Sequence, residues 1–139
     1  MGPKNITPLY KKHLELEAYM VDFAGYRMPM QYSSIFEEVK AVRDSAGLFD
    51  VSHMGDIEVS GEQATEFINY LVTFDISKLK KFQAKYTVIL NEKGGIIDDL
   101  MVYNLGNKYL IVVNASTQEK DLEWFLKHKN GQVQIRNAG

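Results

Sequence analysis

Asp98 and Asp99 stand side by side in "NEKGGIIDDLMVY", the run from Asn91 to Tyr103. A Gly-Gly turn opens there into Ile, Leu, Met and Val, the composition of a buried strand. Aspartate is a poor strand former, and a buried carboxylate without partners is costly. Two carboxylates at one site would suit acid–base work or the clamping of a metal ion. Successive strand side chains point to opposite faces, however, so a two-carboxylate site is disfavoured. Alternation groups Asp99 with Ile97, Met101 and Tyr103, and Asp98 with Ile96, Leu100 and Val102. One aspartate is then free to accept from turn amides near Gly94 and Gly95. The other projects from an apolar and aromatic surface, where a single carboxylate suits a cationic or amine-bearing ligand. On pattern alone Asp99 reads equally well as such a group or as a hydrogen-bonded structural one.

The other chemical groups are sparser. The three histidines, His13, His53 and His128, have no second histidine or carboxylate at metal-ligand spacing, so no metal is expected. His53, alone in "FDVSHMGDIEV", reads as a satisfied structural histidine. No Lys-Ser or Lys-Thr follows Gly94 and Gly95, which removes the phosphate-binding loop, and no Gly-x-Ser-x-Gly elbow occurs. There is no cysteine, hence no disulfide, thiolate ligand or thiol nucleophile. Met54 suits a core or a pocket wall. Tyr86 and Asn114, each near the end of an apolar strand, offer a stacking face with a polar tip and a carboxamide. Either is equally able to serve its own backbone, with Asn114 starting the turn before Ser116.

Short alternating elements must position these groups. "TPLYKKHLEL" accommodates Pro8 at the start of a short helix. "AYMVDFAGYRMPM" reads as a strand bent at Gly25. "SSIFEEVKAVRDSAGLF" is the clearest helix, with Ser34 and Glu37 as a capping box, Ile35, Val39, Val42 and Ala46 facing inward, and Gly47 ending it. "FDVSHMGDIEVSG" follows as a strand broken around Gly55, then "EQATEFINYLV" as a helix burying Ala64, Phe67, Ile68 and Leu71. "KYTVILNEKGGIIDDLMVYNLGNKYLIVVNAS" predicts three antiparallel strands with turns at Asn91–Gly95 and Gly106–Asn107. Ser116 and Glu119 open a last helix with Leu122, Phe125 and Leu126 inward, and "QVQI" is one more strand. The fold class is α+β: an antiparallel meander with packed helices.

Composition sets the outer bounds. A length of 139 residues suggests one compact domain or a large piece of one. With 45% hydrophobic and 24% charged residues the balance is that of a globular protein. Sixteen basic against eighteen acidic residues leave a net charge of −2, which argues against a nucleic-acid partner. "KLKKFQAK" carries four lysines and reads as a solvated loop. No secretion signal or membrane-length apolar run occurs, so a cytoplasmic protein with no membrane partner is the expectation. "GQVQIRNAG" stops just after an edge-like strand, as in a fragment or a chain whose edge needs a partner.

Taken in order, "TPLYKKH", "MVDFAGYRMPMQY", "SIFEEVKAVRDSAGLFDVSHMG", "GGIIDDLMVY" and "VVNASTQEKD" resemble the aminomethyltransferase family of the glycine cleavage system, the T-proteins, through nearly the whole chain. The resemblance implies transfer of the one-carbon unit of an aminomethyl-lipoyl arm, carried by the H-protein, to tetrahydrofolate with release of ammonia. It implies that Asp99 is the key acid and that Met54, Tyr86, Asp99, Tyr103 and Asn114 contact tetrahydrofolate. Asp98 is left for the turn. Tetrahydrofolate enters as the one-carbon acceptor, and no metal is required. The family's chains run well past residue 139, so residues 1–139 read as an N-terminal folate-binding portion of a longer multi-domain protein, whose remaining domains complete the pocket. The alternative is a non-catalytic folate-binding or interaction module of the same superfamily, or a folate domain of the dimethylglycine or sarcosine type.

Overall fold

The structure, a computed structural model, describes residues 5–139. These residues form two compact units, one ending at His53 and one formed by Met54–Gly139.

The first unit contains β1 (Asn5–Ile6), α1 (Tyr10–Glu15), β2 (Tyr19–Phe23), β3 (Tyr26–Gln31) and α2 (Ile35–Asp44). The expected bent strand is a hairpin: β2 and β3 pair antiparallel, and β1 adds to β3 in parallel. Ala24 and Gly25, at φ +51° and +81°, form a tight two-residue connection whose twist matches that of the strands. Helix α2 stops at Asp44, short of Gly47, and buries no residue. Its expected inward stripe is open, with Ile35, Val39 and Val42 each more than two-fifths exposed. These side chains line a groove of about 460 Å³ together with Met28, Met30 and Phe49. The capping box is absent as well. Glu38, one residue beyond Glu37, turns back and accepts from the Tyr32 and Ser33 N–H groups at 2.7 and 2.9 Å.

The second unit is a five-stranded antiparallel sheet with helices on one face. Its elements are β4 (Gly55–Ser60), α3 (Ala64–Leu71), β5 (Ala84–Leu90), β6 (Ile96–Asn104), β7 (Tyr109–Val113), α4 (Gln118–Lys127) and β8 (Gln134–Asn137). The strand order is β5-β6-β7-β4-β8, so the expected meander is extended by β4 and β8. Gly55 is the first residue of β4 rather than a break within a strand. Alternation then sorts the sheet. Ile57, Val59, Ile89, Leu100, Val102, Ile111 and Val113 face a core completed by Phe67, Ile68 and Leu71 of α3 and Phe125 of α4. The Phe67 and Phe125 rings meet edge-on at 6.1 Å, a contact contributing ~1 kcal/mol beyond its buried area. Leu126 lies outside this core at 49% exposure, and Asp121 holds the inward position one turn before Phe125. α4 starts after Thr117, and neither Thr117 nor Ser34 of α2 makes a side-chain cap. The Thr117 hydroxyl donates to Asp98 instead.

Candidate functional site

The sheet face turned away from α3 and α4 carries Tyr86, Asp99 and Tyr103, with Asn114 just past the end of β7 and Met54 just before β4. β6 crosses its middle. Asp99 lies opposite Val88 of β5, Met101 between Tyr86 of β5 and Val112 of β7, and Tyr103 between Ala84 and Leu110. These side chains are half-buried or exposed, so β5, β6 and β7 present an apolar strip with one carboxylate near its end, bordered on β4 by Asp56 opposite Val112 and Glu58 opposite Leu110.

A bulge aims that carboxylate. Ile89 pairs with Asp98 but Leu90 pairs with Ile96, which leaves Ile97 as an extra residue in β6. The alternation expected from the sequence breaks there, and Ile97 packs against the core instead of joining the Asp99 face. Bulges of this kind re-aim side chains at the rims of sheets.

Asp98 corrects a second expectation. The turn amides it was expected to serve are held by Asn91, whose Oδ1 accepts from Lys93 N and Gly95 N, each at 2.9 Å. Asp98 points to the helix side. It accepts from Asn114 Nδ2 at 2.9 Å, from Asp99 N at 2.8 Å and from Thr117 Oγ1. Burial opposes its ionisation, but the bonds from Thr117, Asn114 and Asp99 N–H outweigh that and hold its pKa below the usual value.

Asn114, just past the end of β7, joins the two aspartates. Its Nδ2 lies 3.2 Å from Asp99 O and 3.5 Å from Asp99 Oδ1, in addition to its bond to Asp98. Of the two roles left open for Asn114, the amide donors are spent on the aspartates. Tyr86, diagonal to Asp99 across the β5–β6 pair, feels the same carboxylate. The Asp99 carboxylate, then burial and the charge of Asp98, raise its pKa above that of an ordinary tyrosine. Asp99, Tyr86 and Asn114 therefore form one cluster. Tyr103 shares the face but lies four residues along β6, roughly 13 Å away at strand spacing. Met54 directly precedes Gly55, which pairs with Val113, so it stands at the same end of the sheet as Asn114. Its side chain is half-buried.

His53 is buried in the first unit, with its ring edge-on to Phe23 at 5.5 Å and to Tyr26 at 6.2 Å. Its role there is packing, yet its Nδ1 has no hydrogen-bond partner among the described residues, so it is not the satisfied histidine expected. Thr117 and Asp121 were missed in the sequence. The usable signal was the four-residue spacing of Asp121 and Phe125, which puts both on one face of α4.

The comparisons with known proteins agree on one family. The GCVT N-terminal domain matches residues 9–139. The aminomethyltransferase of Thermotoga neapolitana is 56% identical over 134 residues, covering 95% of this chain and 37% of the relative. That of Thermotoga maritima is 55% identical over 133 residues, covering 94% and 36%. Among solved structures, the glycine cleavage system aminomethyltransferase T from Bartonella henselae superposes with a TM-score of 0.90 at 36% identity, over 96% of this chain and 38% of that one. The chain thus spans little more than a third of the length of these relatives, and it belongs to the aminomethyltransferase family through its GCVT N-terminal domain.

Proposed function

We propose that residues 1–139 are the N-terminal, folate-binding portion of an aminomethyltransferase of glycine cleavage. In this reading the chain takes part in moving the one-carbon unit from the aminomethyl-lipoyl arm of H-protein to tetrahydrofolate, in the cytoplasm, with ammonia released. The remaining domains of the longer protein close the pocket over the open sheet face.

The observation that carries the reading is the placement of one carboxylate, Asp99, beside Tyr86 and Asn114 at the end of an uncovered apolar strip. The residues fit a folate. Its ring system is flat and partly apolar, and it suits Met101, Val112 and Tyr103 along the strip. Its reacting nitrogens are amines, which a carboxylate orients through a hydrogen bond. Transfer makes the migrating carbon electron-poor, and a fixed negative charge beside it stabilises the developing cation. Asn114 and the bulge at Ile97 fix that charge before the ligand arrives, so little reorganisation is left for the reaction itself.

The direct test is a calorimetric titration of the chain with tetrahydrofolate under reducing conditions, with Asp99→Ala alongside. Saturable binding that weakens in a folded variant supports the reading. Equal binding by both removes Asp99 from the folate site, and leaves a folate-binding module with no assigned acid. In the full-length protein, Asp99→Asn is expected to abolish turnover while the thermal midpoint stays near that of the parent.

A further inference from the structure

Asp121 is wholly buried, on the inward side of α4. Neither of its carboxyl oxygens finds a hydrogen-bond donor among the described residues. What stands beside it is a second carboxylate, that of Asp98, and the neighbouring Thr117 hydroxyl already donates to Asp98. The nearest cation is Lys120, with Nζ 3.8 Å from Asp121 Oδ1 and 3.7 Å from Asp98 Oδ2, and Lys120 also donates to Ile97 O at 3.0 Å. Asp98 from β6 and Lys120 from α4 itself are the charged groups acting on Asp121.

Two carboxylates that each lie within 4 Å of the one Lys120 Nζ, in a water-poor space, need a proton between them, because two like charges there cannot both be sustained. Burial first, then the charge of Asp98, push Asp121 up to about 7, whereas Asp98 is held low by its donors. The proton therefore rests on Asp121, which donates to Asp98. Asp98 keeps its remaining acceptor sites for Thr117, Asn114 and the Asp99 N–H.

Resting on the reading of Asp99 as the catalytic carboxylate, we infer that Asp121 is a positioning residue for it: the proton it shares with Asp98 locks Asn114 and the Asp99 backbone, and so fixes the Asp99 carboxylate on the opposite face of β6. Loss of that proton sets two carboxylates against each other behind the site. The Asp98–Asn114 contact is then strained, and Asp99 loses its fixed position. Turnover should fall as the pair ionises on the alkaline side of neutrality.

The test is the pH profile of kcat/KM for the full-length protein with H-protein and tetrahydrofolate, comparing the parent, Asp121→Ala, Asp121→Asn and Asp99→Asn. Asp121→Ala removes the donor and is expected to lower kcat/KM roughly tenfold or more, since misplacing a reacting group by about 1 Å can cost up to ~100-fold. Asp121→Asn puts a permanent N–H donor in the same place. It is expected to recover most of what Asp121→Ala loses and to lack the parent's alkaline decline from this pair. A purely structural Asp121 would change stability without moving the profile. Loss of turnover in Asp99→Asn, with both Asp121 variants matching the parent at every pH, overturns the inference and spares the function. Full turnover in Asp99→Asn overturns both. Should Asp121→Ala fail to fold, the profile of Asp121→Asn decides, and an alkaline limb identical to the parent's overturns the inference.

Discussion

Asn114 Nδ2 lies 2.9 Å from Asp98 Oδ1 and 3.5 Å from Asp99 Oδ1, so one carboxamide spans two carboxylates that leave β6 on opposite faces. A structural network on the helix side and a candidate site on the open side thus share a single donor group. Changes on either side should be felt on the other.

Asn114→Leu tests that link. It deprives Asp98 of one of its donors at a part-buried position, and leaving such a group short of a bond costs about 1–3 kcal/mol. The thermal midpoint of the chain should fall accordingly. Tetrahydrofolate affinity should fall too, because Asp99 loses the amide beside its carboxylate. A variant as stable as the parent, binding folate equally well, would show that the bridge contributes nothing.

Tyr86 offers a spectroscopic report on Asp99. Its hydroxyl is raised above the ordinary tyrosine value, chiefly by the Asp99 carboxylate. The phenolate carries a negative charge, so a neighbouring carboxylate disfavours it and ionisation is delayed to higher pH. Asp99→Asn removes that charge, and Tyr86 should then ionise at lower pH. The ultraviolet titration is made specific by subtracting Tyr86→Phe, since the chain has eight tyrosines. An unchanged Tyr86 titration in Asp99→Asn would separate the two side chains.

The elements that alternation and turn chemistry control were legible in the sequence. The meander β5-β6-β7 follows from apolar runs separated by Asn91–Gly95 and Gly106, and the α3 stripe from Ala64 to Leu71 is buried as its spacing requires. Asp98 and Asp99 do leave β6 on opposite faces, but the turn assigned to Asp98 belongs to Asn91. A sequence names which residues favour a turn, and only the folded register decides which side chain reaches the amides. The bulge at Ile97 was hidden for a related reason, because an extra residue in a strand has no composition of its own. Helix α2 misled in the other direction. Its apolar periodicity is genuine, yet Ile35, Val39 and Val42 line an open groove, since periodicity marks a face to be covered and not what covers it. Asp121 was missed despite its four-residue spacing from Phe125, because a lone carboxylate on a helix reads as solvent-facing until its neighbours are known.

Gly61 and Gly25 should respond differently to alanine although both have positive φ. At Gly25, φ is +81° and a Cβ would meet nothing within 4 Å, so Gly25→Ala carries only the backbone penalty, about 1–2 kcal/mol. At Gly61, φ is +115° and a Cβ would lie 2.1 Å from the Gln132 carbonyl oxygen. That oxygen is backbone and cannot swing aside, so the segment from Gly131 to Val133 must shift. Gly61→Ala should therefore be the more damaging of the two by chemical denaturation, and equal losses would contradict the close approach.

The first unit should be sensitive to acid through one buried carboxylate. Asp50 and His13 have side chains only 2% and 5% exposed, with His13 Nε2 2.8 Å from Asp50 Oδ2 and His13 Nδ1 2.7 Å from the Tyr32 hydroxyl. The assignment that satisfies all three groups puts the histidine proton on Nε2, donating to Asp50, while Tyr32 donates to Nδ1. Asp50 also accepts from Thr7 Oγ1 at 2.7 Å and from Ser52 N at 2.9 Å. Burial opposes its ionisation, but these bonds prevail and hold its carboxyl far below the usual range. A group whose pKa is lower folded than unfolded gives stability that is present above the unfolded value, roughly 4, and lost as pH falls toward the folded one. The protection of amides in α1 and β3, taken relative to the unfolded-chain exchange rate at each pH, should accordingly fall well before that of the second unit's core as pH is lowered from 5 to 2. His13→Leu strands Asp50 without its ring partner and should destabilise the unit at neutral pH by about 3–5 kcal/mol. Asp50→Asn removes the titrating group, and its exchange should lose this acid dependence. Protection in α1 and β3 that stays constant from pH 5 to pH 2 in the parent chain would show that Asp50 does not govern the unit's stability.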